Sequence, residues 1–307
     1  MTTFLPEGSL LQSDYNRNIL TSEQLLEQAY AEGRILESTA LMCDPAHNVI
    51  VDIPGAEAVI PRVEGALGIA EGITRDIAVL ARVNKPVCFI ITGISRGGDG
   101  RLRYTLSRAA AQKRCMELYI RHLTPGDVIP ARVTHLESFG AFVDIGCGIP
   151  SLIPIDCISV SRISHPADRF YNGQYIYAAV KSRDGDRICL THRELLGTWE
   201  QNCARFEVGA VVTGVVRSIE TYGVFIELAP NLAGLAEPHE GLYAGQTVTV
   251  GIKAMKPDKM KLKLAIIDAD HTRRPPAGLV YYIKEGHITR WQYSPERCTK
   301  LVETIFG

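Results

Sequence analysis

Two stretches of the chain alternate apolar and polar positions with a period of two. Val143 and Ile145 interleave with Phe142 and Asp144, and Val224, Ile226 and Leu228 interleave with Phe225 and Glu227. Side chains on a strand point alternately to its two faces, so each stretch predicts a strand with one apolar face. The other face is expected to carry an aromatic ring and a charge. Both stretches open with the same order of residue types: aromatic, glycine, small, Phe, β-branched, acid. They read Phe139-Gly140-Ala141-Phe142-Val143-Asp144 and Tyr222-Gly223-Val224-Phe225-Ile226-Glu227. Each follows a glycine-marked start, Pro125-Gly126-Asp127-Val128 and Val208-Gly209-Ala210-Val211. A pattern that recurs in this way marks a repeated module.

Five short strands are expected in each of the two units. In the middle unit (124–192) they centre on 128–129, 142–143, 152–153, 175–180 and 187–190; in the third (207–268) on 211–216, 224–228, 234–236, 247–253 and 261–265. A first unit (33–109) shows weaker strand pattern at 49–53, 58–61, 77–80, 88–91 and 101–105. No crossover helix lies inside a unit, which excludes a parallel α/β sheet and favours small closed all-β barrels in series. The remainder reads as an irregular arm over 1–20 and a short helix to residue 32, capped by Thr21 or Ser22 and ended by Gly33. Helical connectors follow at 110–123 and 193–206. Within the last segment (269–307), 272–276 reads as a linker and 279–293 as a hairpin turning about 284–286. A final helix is expected there, with Ser294 as cap and Pro295 in its first turn.

Charge and composition narrow the function. The chain has 307 residues and a formal net charge of -1, which argues against a strong duplex-DNA binder, since phosphate neutralisation needs clustered Lys and Arg. The charge is uneven, however, with Lys253, Lys256, Lys259, Lys261 and Lys263 crowded against one acid, Asp258. The eight cysteines form no C-x-x-C pair and several sit in apolar runs, so they read as reduced core thiols of a cytoplasmic protein. No apolar run is long enough for a membrane span, and 1–15 lacks the features of a secretory signal. The eight histidines show no metal-ligand spacing, and neither a nucleophile elbow nor a phosphate-binding loop occurs. No catalytic residue, metal or cofactor is expected, and the chain reads as a non-enzymatic monomer.

The middle unit also contains Ser151-Leu152-Ile153-Pro154, Gly173-Gln174 and Arg187-Ile188-Cys189-Leu190-Thr191; the third contains Ala233-Gly234-Leu235-Ala236, Gly245-Gln246 and Lys261-Leu262-Lys263-Leu264. This series resembles the S-one RNA-binding domain, and the order of parts is similar to a shortened S-one-like protein of Gram-positive type. The resemblance is specific over 124–267 and weaker over 33–109. It implies three tandem five-stranded OB barrels joined by helical connectors and single-stranded RNA as the ligand. It also implies exposed stacking rings at Phe139 and Phe142 and at Tyr222 and Phe225, held on one face by a bulge at the intervening glycine. Phosphate contacts are implied at Arg187 and Lys261, with Lys181, Arg183, Lys253 and Lys263 near enough to widen that groove. Pro154 and Glu237 stand where the family usually has His, and Glu237 is expected to weaken the third unit.

The first unit departs further. His47 and Ile50 occupy its ring positions, so it is expected to keep the fold without the stacking, as a structural or protein-docking module. The expected activity is binding of single-stranded RNA with low sequence specificity, in translation at the small ribosomal subunit or in RNA turnover. The competing reading is an adaptor whose barrels dock on the ribosome or on an RNA-processing enzyme.

Overall fold

The structure, a computed structural model, describes residues 4–269 and 278–307. It contains two compact units, one of residues 1–123 with 144–150, the other of residues 124–143 with 151–307.

The first unit opens with helices α1 (Asp14–Leu20) and α2 (Glu23–Glu32). The Ser13 and Ser22 side chains cap them, and Gly33 ends α2 in the left-handed conformation at φ 61°. The arm is therefore helical over its second half, because Ser13 supplies a cap and Ile19 and Leu20 supply a buried side. Strands β1 (Leu36–Cys43), β2 (Val49–Val51), β3 (Glu57–Ile60), β4 (Pro86–Arg96) and β5 (Leu102–Ser107) close a barrel in the order β1-β2-β3-β5-β4. Phe89, Leu36, Ile60 and Leu106 fill its core. The strand expected at 77–80 is instead one turn of helix, α3 (Ile77–Leu80). β1 completes the ring and leaves no edge for another strand, and of the four residues only Val79 is buried. Helix α4 (Arg108–Leu118), capped by the Ser107 hydroxyl, follows β5.

Buried carboxylates organise this unit. Glu7 takes Arg108 at 2.6 and 3.0 Å, Arg82 at 3.2 Å and the Cys88 N–H at 3.1 Å. Glu37 accepts the N–H groups of Gly8, Leu10 and Leu11, and Asp144 accepts those of Glu7, Gly146 and Gly148. Burial pushes the Glu37 carboxyl up to about 7, assisted by the Glu7 charge. Asp144 is pushed up to about 7 by the same two causes. At Glu7, burial is outweighed by Arg108 and Arg82, and the carboxyl lies below its usual range. A raised carboxyl keeps its proton in the native state after the unfolded chain has lost it, so stability falls as pH rises through that interval. Glu7 has the opposite sign and matters only in acid below its ordinary value. The first unit is expected to lose amide-exchange protection in β1 and β4 between about pH 5 and 7. Glu37→Gln is expected to flatten that slope; a wild-type profile without slope would refute the assignment.

The second unit holds two further barrels. Strands β6 (Val128–Glu137), β7 (Gly140–Asp144), β8 (Pro150–Pro154), β9 (Tyr175–Asp184) and β10 (Arg187–Thr191) close in the order β10-β8-β7-β6-β9. The connector is not one helix: a 3₁₀ turn (Arg193–Leu196) ends at Gly197, and α5 (Trp199–Cys203) starts from the Thr198 cap. Gly197 sits at φ 83°, and a Cβ there would lie 2.5 Å from the Tyr282 ring, so glycine breaks the helix and admits the tail. Strands β11 (Val211–Glu220), β12 (Gly223–Ala229), β13 (Leu232–Ala236), β14 (Thr247–Lys256) and β15 (Lys261–Ala269) close the third barrel in the order β11-β12-β13-β15-β14.

Buried Asn231 ties this unit together. Its amide donates to the carbonyls of Arg193 and Gly197 and its side-chain oxygen accepts from the Val160 N–H, while its own carbonyl accepts from the Tyr293 hydroxyl. The expected linker at 272–276 lies outside the described residues. Beyond it, the expected hairpin about 284–286 is absent, because Gly286 and Ile288 bond to the edge of the middle barrel at Val128 and Gly126. The two-stranded sheet of the tail pairs β16 (Arg290–Gln292) with β17 (Glu303–Ile305). Ser294 and Pro295 open a turn, closed by the Cys298 N–H on the Pro295 carbonyl, where a final helix was expected. The Ser294 hydroxyl accepts from Val302 instead of capping a helix.

Candidate nucleic-acid interface

The alternation in β7 and β12 places Val143, Val224 and Ile226 in barrel cores. It turns Phe142 and Phe225 to the other face, where each meets the aromatic residue three positions earlier. Phe139 is 54% exposed and Tyr222 64%. The ring centroids of Phe139 and Phe142 are 5.9 Å apart and those of Tyr222 and Phe225 6.2 Å, each pair edge to face. Both motif glycines are needed for their size, and at Gly223 the ladder runs without the expected bulge. A Cβ on Gly140 would stand 2.5 Å from the Ile153 carbonyl oxygen, and one on Gly223 2.4 Å from that of Ala236. The irregularity beside the second motif lies across the ladder on β11, between Val216 and Ser218. The acids that end the motifs are not on a wet face. Asp144 and Glu227 are both buried, Asp144 under the N-terminal arm and Glu227 between Arg169 and Arg217.

In the third barrel the predicted residues converge. Tyr222, Phe225, Lys253, Lys261 and Lys263 line one groove of about 470 Å³ with an apolar floor that includes Leu235 and Leu262. The last hairpin explains how three lysines reach it. Lys261 and Lys263 alternate with buried Leu262 and Leu264 on β15. Lys253 is the extra residue of a bulge between Ile252 and Ala254 on β14, which aims it out of the regular alternation. Glu237 is exposed beside the same groove, 3.7 Å from Lys253.

The middle barrel repeats the plan with fewer charges. Lys181 occupies the equivalent bulge, between Val180 and Ser182 on β9. Its amine lies 3.0 Å from the Cys157 sulfur, a contact that raises its pKa. Arg187 is exposed at the start of β10, opposite Asp184. Cys189 holds the position that Lys263 holds in the third barrel, each aligned in parallel with a leucine, Leu152 or Leu235. One neighbour of the rings was not read from the sequence: His135 on β6 stacks on Phe142 with centroids 6.4 Å apart. Its period-two position on a strand facing β7 was the available signal.

The first barrel keeps the bulge, at Thr92, but has no lysine there. His47 sits in a turn at φ 66° with its ring 3.1 Å from Asp76, and no ring pair forms. Trp291 and Tyr293 in the tail are buried against the third barrel and present no further stacking surface. Among the described residues no group of His, Cys, Asp or Glu is placed to hold a metal ion, and no helix is long and apolar enough to cross a membrane.

Residues 122–193 match the family model of the S1 RNA binding domain, the S-one domain of the sequence resemblance. The chain is 33% identical over 167 residues to the small ribosomal subunit protein bS1 homolog of Bacillus subtilis, covering 50% of this chain and 44% of that protein. It is 26% identical over 254 residues to small ribosomal subunit protein bS1 of Leuconostoc lactis, covering 78% and 57%. The chain thus spans about half the length of these relatives. Among solved structures, a multidomain protein with nucleic acid binding domains from Streptococcus pneumoniae is 15% identical, covering 76% of this chain and 73% of that one, with a TM-score of 0.25.

Proposed function

We propose, on the premise that residues 122–193 are an S1 RNA binding domain homologous to bacterial ribosomal protein bS1, that this chain binds single-stranded RNA without catalysing a reaction on it. The observation that carries the reading is the groove in which two aromatic rings and three lysines meet on one barrel face. Unpaired bases stack on exposed rings whatever their sequence, and ammonium groups beside the rings meet the phosphates. Phe139, Phe142, Lys181 and Arg187 do the same on the middle barrel with less charge. Among the described residues no arrangement of donors that would read base edges stands out, so sequence preference is low. The first barrel, without rings or a bulge lysine, takes no part in RNA contact and serves the fold or a protein partner. The relatives it matches are small ribosomal subunit proteins, which supports a cytoplasmic setting in translation, with messenger RNA at the small ribosomal subunit as the favoured ligand and RNA turnover as the second setting.

The test is fluorescence anisotropy of the whole chain with a labelled single strand of about ten nucleotides at two salt concentrations, against a duplex of the same sequence. Binding of the single strand, with a salt slope of about -0.7 per phosphate contact, and little binding of the duplex is the expected result. Failure of the intact chain to bind the single strand at low salt would overturn the reading in favour of an adaptor that docks on proteins alone.

A further inference from the structure

Tyr222 and Phe225 line two grooves, one on either side of them. The lysine groove is the first; the second, of about 540 Å³, is walled by residues 161–164 of the middle barrel and by Arg217, Ser218 and the exposed acid Glu220 on β11. Ala233 also lines both grooves. The wall contributed by the middle barrel is fixed in place. Just after it in sequence, Arg169 pairs with Glu227, Arg217 makes two 3.0 Å bonds to the same carboxylate, and a third bond of 3.1 Å runs from Arg217 to Asp168. Arg217 is committed to those two carboxylates. Arg162 is exposed at the rim, and it is the remaining cation of this groove.

We propose, building on the RNA-binding reading, that the bound strand does not end at the ring pair but crosses it into this second groove. One nucleotide then lies on each side of Tyr222, and Arg162 meets a phosphate beyond the rings. A single-strand site of about four nucleotides on the third barrel is thereby lengthened across the junction of two barrels. The fixed wall makes the path preformed, so the added contacts need no rearrangement.

The experiment compares the whole chain with Arg162→Ala on single-stranded RNAs of about four and about ten nucleotides, over a salt series. The expected result is a loss of roughly tenfold on the longer RNA, a salt slope shallower by about 0.7, and little change on the shorter one. Arg162→Lys is expected to restore most of the slope. Because Arg162 is exposed, the variant folds as the wild type does. Unchanged binding of the longer RNA by Arg162→Ala, with Tyr222→Ala still impaired, would overturn the path and leave the RNA-binding reading standing. Equal losses on both lengths would also overturn it, since Arg162 would then act on the primary site. No binding by the intact chain would overturn the RNA-binding reading itself.

Discussion

Replacing Tyr222 and Phe225 together by alanine is expected to weaken binding of a single-stranded RNA of about ten nucleotides by roughly a hundredfold, with the fold intact. Stacking on one ring is worth about 1–3 kcal/mol by alanine substitution, and the two rings touch, so their losses overlap and do not simply add. The fold survives because the 64% exposed Tyr222 contributes little to the core, which Val224 and Ile226 fill from the opposite face of β12. Tyr222→Phe is expected to bind as the wild type does, since the stacking surface is kept and only the hydroxyl is lost. Phe139→Ala with Phe142→Ala is expected to cost less, roughly tenfold, because the middle barrel has Cys189 in place of a lysine and a Lys181 already in contact with Cys157. Anisotropy titrations of the two double variants decide the matter. A larger loss from the middle barrel would show that Glu237, despite Lys253 at 3.7 Å, repels the strand as its charge alone suggests. Losses under threefold in both would remove stacking as the source of affinity.

The two repeated barrels were legible because their strands alternate cleanly and their turns carry glycine. All ten expected strands of the middle and third units are present, and the five residues singled out in the third share one groove. What escaped was anything that depends on a second layer of chain over a strand. β1 contains Glu37 and Ser38, which spoil an apolar pattern; both are buried because N–H groups of the arm satisfy Glu37 and the Asp52 carbonyl accepts from Ser38. Residues 77–80 look like a strand by composition, yet the barrel was already closed. The acids of the repeated motif illustrate the same limit. Alternation correctly put Asp144 and Glu227 on the face away from their own barrel core. It could not tell that this face would be covered, for Glu227 by residues 168–169 and for Asp144 by the arm at Glu7. In the tail, Ser294-Pro295 has the composition of a helix start, but pairing of β16 with β17 commits the following residues to a turn.

Glu227→Ala is expected to be among the most damaging single changes in the second unit, at about 3–5 kcal/mol. The carboxylate is buried and accepts from both Arg169 and Arg217. Removing it leaves the Arg169 guanidinium in a site that is 4% exposed with only the weaker attraction of Asp168 in place of its hydrogen-bonded partner, and a poorly compensated buried charge costs more than the pair contributes. Arg217 suffers less because it keeps Asp168 at 3.1 Å. Both tryptophans of the chain, Trp199 and Trp291, are buried in this unit, so denaturant unfolding followed by tryptophan fluorescence reports on it alone. If the penalty comes from the orphaned charge, replacing both partners, Glu227→Leu with Arg169→Met, is expected to recover most of it. A penalty that persists in the double variant would instead assign the loss to packing at the junction. A loss under about 1 kcal/mol in Glu227→Ala would mean that the guanidinium reaches water and that the two barrels are not locked by this network. The same variant also connects stability to binding. With the lock removed, the wall at residues 161–164 is no longer held beside Tyr222, so affinity for the longer RNA is expected to fall while the shorter RNA, seated on the lysine groove alone, binds as before.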